Sequence, residues 1–223
     1  SPDAWGSRRV ILNKKLGQHG NDVDSGQLGE LTYMLESGSD RIGALDFQSS
    51  ATEYIPREHQ HATLEELLES AQRVEQGVPL SPELDLALQH GTSIGGARPK
   101  ALLEDENTKY IAKFSTQTDT YNMVKGEFIA MRLAALCGIN VAQVKLTQTM
   151  GRDVLLIERF DRIRQRSKWS RLLMQSALTL LKLDDMRARY ASYEDLADLI
   201  RKDFTKPTDT LEELFARLVF NII

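Results

Sequence analysis

Apolar positions along the chain fall into two kinds of period, and the change between them organises the sequence. Thr63-Leu-Glu-Glu66 reads as a capping box, in which a hydroxyl and a carboxylate satisfy opposite amides, and Leu64, Leu67, Leu68, Ala71 and Val74 follow at helical spacing. This predicts a helix over 63–76, stopped by Gly77. Ser81-Pro82 then supplies a second cap and a proline at the first helical position, ahead of Leu84 and Leu88. Beyond Gly91 the period shortens, and alternation predicts strands over 109–114, 141–146 and 153–157. Between the first two, Val124, Phe128, Met131 and Ala135 share one stripe, which predicts a helix over 121–137 closed at Gly138. The last third is helical: 176–183 is rich in Ala and Leu, Ser192 caps a segment carrying Leu196, Leu199 and Ile200, and Thr210-Leu-Glu-Glu213 reads as another capping box. Glycines punctuate the first 50 or so residues, where residues 28–35 form the best short helix and Arg41-Ile-Gly-Ala-Leu-Asp-Phe47 suits an edge strand. The pattern is that of an α+β chain, a mixed part followed by a helical part.

Composition narrows the classes. With 223 residues, 41% of them apolar, the chain suffices for one or two globular domains. The balance of 28 Lys and Arg against 32 Asp and Glu gives a charge of -4, which argues against a broadly cationic nucleic-acid coat. The single cysteine, Cys137, excludes an internal disulfide, and its apolar helical context predicts a buried thiol. No apolar run approaches the roughly 18 residues of a membrane span, so a cytoplasmic protein is expected, without membrane partners. His19, His59, His61 and His90 do not form a zinc pattern, and no GxSxG elbow is present.

Four features carry candidate chemistry. In Thr92-Ser-Ile-Gly-Gly-Ala-Arg-Pro-Lys100 the paired glycines allow close approach of an anion and Arg98 and Lys100 add positive charge; a tight surface turn is the alternative. Lys113 sits on a predicted strand that places Tyr110, Ala112 and Phe114 on the opposite face, where it either points at a phosphate or snorkels to water. Glu127, on the following helix, either turns inward to orient Lys113 or is a solvated carboxylate. From Arg159 to Arg171 a basic stretch containing Arg164, Arg166, Lys168 and Trp169 is either a nucleic-acid surface or a solvated loop.

Taken in order, Ser93 to Lys100, Tyr110-Ile-Ala-Lys-Phe114, Glu127, Leu155-Leu-Ile-Glu-Arg-Phe-Asp-Arg162 and Glu213-Leu-Phe-Ala-Arg-Leu-Val-Phe-Asn221 resemble the HipA family of serine/threonine protein kinases, a likeness running from Trp5-Gly6 to the last residue. The resemblance implies a protein-kinase-like HipA fold, with a mixed N-terminal lobe followed by the start of an all-helical C-terminal lobe. The implied domains are a remnant of a small N-terminal subdomain (1–55), a kinase N-lobe with its phosphate loop (56–170), and a hinge with the beginning of the C-lobe (171–223). It further implies ATP and Mg2+ as cofactors, with Gly95, Gly96 and Ala97 in the phosphate loop, Lys113 on the ATP phosphates, Glu127 as the inner helix acid, and Met174, Gln175 and Ser176 at the hinge that holds adenine. Ser93 matches an inhibitory autophosphorylation site, and Arg159, Phe160 and Asp161 match a structural signature before the hinge rather than a catalytic base. The family further implies a bacterial toxin that phosphorylates an aminoacyl-tRNA synthetase, paired with a HipB-like helix-turn-helix antitoxin through which it associates with DNA. The family's Gly-Asn-x-Asp-x-His-x-x-Asn catalytic loop and its magnesium-binding aspartate have no counterpart here, so no catalytic residue is assigned. The expectation is therefore a fragment of the kinase, inactive alone, or alternatively a kinase-like scaffold that binds partners without chemistry.

Overall fold

The computed structural model describes residues 29–36, 38–57, 63–76, 78, 80–81, 84, 100–116, 119–166 and 168–223. Helices α1 (Glu30–Glu36) and α2 (Leu64–Gln76) precede strands β1 (Lys100–Glu104) and β2 (Lys109–Phe114). Helix α3 (Met123–Leu136) leads into β3 (Val144–Thr149), β4 (Arg152–Glu158), β5 (Arg162–Gln165) and β6 (Lys168–Arg171). Then come α4 (Ala177–Leu180), a 3-10 turn (Asp185–Tyr190), α5 (Tyr193–Asp203) and α6 (Pro207–Ile222). The chain divides into two compact units, Ser1–Ile129 with Ala142–Leu172 and Ala130–Val141 with Leu173–Ile223.

The first unit is built on an antiparallel sheet of order β1-β2-β4-β3. The strict alternation in β2 buries Tyr110, Ala112 and Phe114 and leaves Ile111 and Lys113 on the other face, as the sequence predicts. Helix α2 covers the buried face with Leu67, Leu68 and Ala71, which pack on Ala101, Ala112, Phe114 and Val154. The start of α2 is the predicted capping box: Glu66 N donates to Thr63 Oγ1 at 3.2 Å and Thr63 N donates to Glu66 Oε2 at 2.8 Å. A second hairpin joins β5 to β6. In the second unit α5 packs on α6, and Ser192 caps α5 by accepting from Asp195 N at 3.0 Å.

Several expectations are corrected. Residues 41–47 form no strand, because charged side chains rather than a neighbouring strand satisfy their backbone: Gly43 N donates to Asp161 and Gly43 O accepts from Arg162. The predicted strand 141–146 lies later, at Val144–Thr149, since the hairpin turn at Met150 and Gly151, with φ of 47° and 74°, fixes the pairing Thr149↔Arg152. The helix expected over 176–183 closes after one turn at Leu180, where Lys182 takes a φ of 57° and ends it. Thr210 does not cap a helix; Pro207 starts α6 one turn earlier and Thr210 Oγ1 donates back to Lys206 O at 2.7 Å. Cys137 is exposed rather than buried, because Gly138 turns the chain after α3 and burial passes to Ala134 and Ile139. The basic stretch is not a loop but the β5–β6 hairpin, with Arg159 and Arg162 buried at its root. The predicted features before residue 29, Gly77, Pro82, Leu88, the histidines and the loop of residues 92–99 lie outside the described residues.

Candidate functional site

Lys113 lies in the middle of the sheet, on β2 between β1 and β4, in register with Lys100 on one side and Leu155 on the other. Directly opposed residues of antiparallel strands project to the same face, so Lys100 and Lys113 place two cations on the face away from α2. Lys100 is buried, whereas the Lys113 side chain is 27% exposed.

Glu127 reaches that face from the second turn of α3. Its Oε1 accepts from Lys113 Nζ at 2.5 Å, and its side chain is 38% exposed. The helix is aimed by its first turn: Asn122 Oδ1 accepts from Lys125 N at 2.9 Å, while Asn122 Nδ2 donates at 2.5 Å to Asp153 on β4. Lys125 Nζ adds an ion pair to Asp153 at 3.1 Å, and Gln148 on β3 donates to the same carboxylate at 2.8 Å. These donors hold Asp153 below the usual carboxylate range, with the Gln148 bond the foremost cause, then the Asn122 and Lys125 bonds. An ionised Asp153 thereby ties α3 to β4 and β3, and fixes where Glu127 meets Lys113. Sequence reasoning misses this support, although an asparagine just before a helical stripe is a legible cap signal.

A second cluster of charges lies between the end of β4 and residues 40–43. Asp161 accepts from Arg159 Nε at 3.0 Å, Arg159 Nη2 at 2.9 Å, Arg162 Nη1 at 2.7 Å and Gly43 N at 2.8 Å. Asp40 Oδ1 accepts from Arg162 Nε at 2.9 Å and Nη2 at 2.8 Å, and its Oδ2 meets Lys109 Nζ at 2.7 Å. Arg162 Nη2 also donates to Arg41 O. Burial pushes Asp40 up, but Arg159, Lys109 and Arg162 outweigh it and hold the carboxyl at about 2. Asp161 is likewise lowered, burial opposing and Arg159, Gly43 and Arg162 prevailing. With four donors on its two oxygens, Asp161 is committed to holding structure.

Of the other sequence-predicted residues, Met174, Gln175 and Ser176 are exposed, in the second unit, just past the division at Leu172. The Ser176 hydroxyl caps α4, accepting from Thr179 N at 3.1 Å. Ser93, Gly95, Gly96 and Ala97 lie outside the described residues.

The face carrying Lys113 suits a phosphate group: a cation held by a carboxylate, partly open to solvent, with a second lysine opposite in register. For magnesium, no group of three His, Cys, Asp or Glu side chains converges among the described residues. No helix among the described residues is long and apolar enough to cross a membrane.

Comparisons with known proteins agree with this architecture. Y4mE of Sinorhizobium fredii, a kinase candidate, is 28% identical over 118 residues, which are 51% of this chain and 27% of that protein. A chain from the Shewanella oneidensis MR-1 toxin-antitoxin complex of HipA, HipB and operator DNA superposes with a TM-score of 0.58 at 20% identity, over 98% of this chain and 57% of its own. The fold is therefore a mixed one resembling the HipA kinase-like fold, a sheet region followed by a helical region, and the chain spans little more than half the length of that structural relative. A family model, the HipA-like C-terminal domain, matches residues 92–223, more than half of the sequence, and the chain belongs to that family.

Proposed function

We propose that this chain is the nucleotide-holding part of a HipA-type serine/threonine protein kinase, and that transfer of the ATP γ-phosphate to a protein serine is the activity of the whole protein. The observation that carries this reading is the partly exposed Lys113–Glu127 pair at 2.5 Å on the face of the sheet away from α2, in a chain of the HipA-like family. A lysine has three donors, and Glu127 occupies one, so Lys113 retains donors for phosphate oxygens while the carboxylate fixes its reach. Glu127 is held in turn by the Asn122–Asp153 support of α3. In that role Lys113 offsets the charge on the phosphates and positions the group to be transferred. When bound, Mg2+ supplies further charge neutralisation across the phosphate oxygens. In this reading Gly95, Gly96 and Ala97 contact the phosphates, Met174 to Ser176 contact adenine, and phosphorylation of Ser93 regulates binding by its added charge.

A second reading keeps the fold but not the chemistry: a kinase-like scaffold that binds a HipB-like antitoxin, and DNA through it. It is favoured by the likeness to a chain from a complex with HipB and operator DNA. An aminoacyl-tRNA synthetase is the substrate class under the first reading.

Equilibrium binding of a fluorescent ATP analogue with Mg2+ separates the two. Under the kinase reading the protein binds the analogue and Lys113→Met weakens it at least tenfold, with thermal unfolding little changed. No binding by the unaltered protein, or equal binding by Lys113→Met, overturns the assignment of the site and leaves the scaffold reading.

A further inference from the structure

The β5–β6 hairpin carries the most concentrated charge in the sequence. Arg162-Ile-Arg-Gln-Arg-Ser-Lys-Trp-Ser-Arg171 holds five cations and no acid, within a chain whose net charge is -4. The structure separates these cations into two groups. Arg162 is buried and neutralised by Asp40 and Asp161. Arg164, Arg166, Lys168 and Arg171 form no ion pair among the described residues, and the first three are exposed.

The platform that presents them is fixed at several points. At its root, Leu172 N donates to Asp161 O at 3.0 Å and Arg162 is held in the buried network. Along its side, Trp169 Nε1 donates to Glu104 Oε1 at 2.8 Å, and Glu104 also pairs with Lys109 at 2.8 Å. The indole is flanked by Lys109 and by Arg164, whose charged groups lie 5.6 and 5.1 Å from the ring centre. The register pairs Arg162 with Arg171 and Arg164 with Trp169, so Arg171 and Arg164 share one face of the ribbon. Lys168 belongs to the opposite face, and Arg166 sits in the turn with a φ of 56°.

We propose that this hairpin is a docking surface for a nucleic-acid backbone, separate from the Lys113 site. Mainly arginine cations with no ion pair among the described residues, spread over both faces and the turn of a pinned ribbon, suit backbone phosphates, which a guanidinium grips through two parallel bonds. A two-stranded ribbon also has dimensions a major groove accepts. The overall negative charge of the chain restricts such binding to this surface instead of spreading it.

The test is fluorescence anisotropy of a mixed-sequence duplex DNA with the whole chain, titrated with salt. Binding at low salt should fall with a log-log slope of about -3 to -4, for up to about four phosphate contacts. Replacing three cations together, Arg166→Gln, Lys168→Gln and Arg171→Gln, should weaken binding at least tenfold and flatten the slope to about -1. Replacing three exposed lysines elsewhere, Lys182→Gln, Lys202→Gln and Lys206→Gln, removes the same charge and should leave affinity within about threefold. Absence of binding by the unaltered chain, equal loss in both triple variants, or tighter binding to a polyglutamate peptide than to the duplex overturns the proposal. Lys113→Met should bind the duplex normally, so failure of the nucleotide site and failure of this surface are read independently.

Discussion

Lys113 and Arg159 are both cations paired with carboxylates within the sheet unit, yet their surroundings assign them opposite work. The Arg159 side chain is fully buried, and Asp161, its partner, also takes Arg162 and the Gly43 amide, so every oxygen is engaged. Among the described residues Lys113 has one acid, Glu127, and both side chains keep contact with solvent. A saturated, dry network can only hold elements together, because any lost partner leaves a charge stranded. A half-exposed pair with spare donors costs little to disturb and can accept a ligand. The charge chemistry of the two clusters is nearly the same; burial and the number of partners separate a fixed clamp from a pair with donors to spare.

Breaking the dry cluster should have the largest effect. Asp161→Ala leaves Arg159 and Arg162 buried with Asp40 as their one remaining carboxylate among the described residues, and should cost about 3–5 kcal/mol in chemical denaturation. A loss below about 1 kcal/mol would show that the network is not holding residues 40–43 to the sheet. Acid should weaken the same cluster next. Asp40 is held at about 2 against an ordinary 3.8, so its contribution is present above pH 3.8 and is lost as pH falls toward 2. This corresponds to roughly 2 kcal/mol, and Asp40→Asn should remove that part of the acid dependence measured by unfolding at pH 2 to 5. The smallest effect on stability belongs to the exposed pair: Lys113→Met should change unfolding by less than about 1 kcal/mol while its nucleotide affinity drops. A larger stability loss would move Lys113 into the same class as Arg159.

Much of this contrast was hidden in the sequence, for reasons visible in single residues. The alternation of Tyr110, Ala112 and Phe114 shows which face Lys113 takes, because the strand period is fixed by backbone geometry. The capping boxes differ in outcome: Thr63 works as read, whereas Thr210 falls inside α6 since Pro207 begins the helix before it. Arg159 and Arg162 read as part of one basic run with Arg164 and Arg166, yet the first two are sealed by Asp40, more than a hundred positions away. Nothing local distinguishes them. Likewise, the irregular path of residues 41–47 follows from side chains of a distant strand end, which no pattern within the segment reports.

By itself the sequence determined the local periods, the caps at Thr63 and Ser192, the order of sheet then helices, and the family to which the chain belongs. These depend on spacing along the backbone and on side chains a few residues apart. Only the tertiary structure decided that Glu127 meets Lys113, that Asn122 and Asp153 aim the helix, and that one basic run splits into buried clamps and an exposed ribbon. Those outcomes depend on burial and on partners distant in the chain, and the strength of a charge is set by its solvent and its neighbours rather than by its residue type.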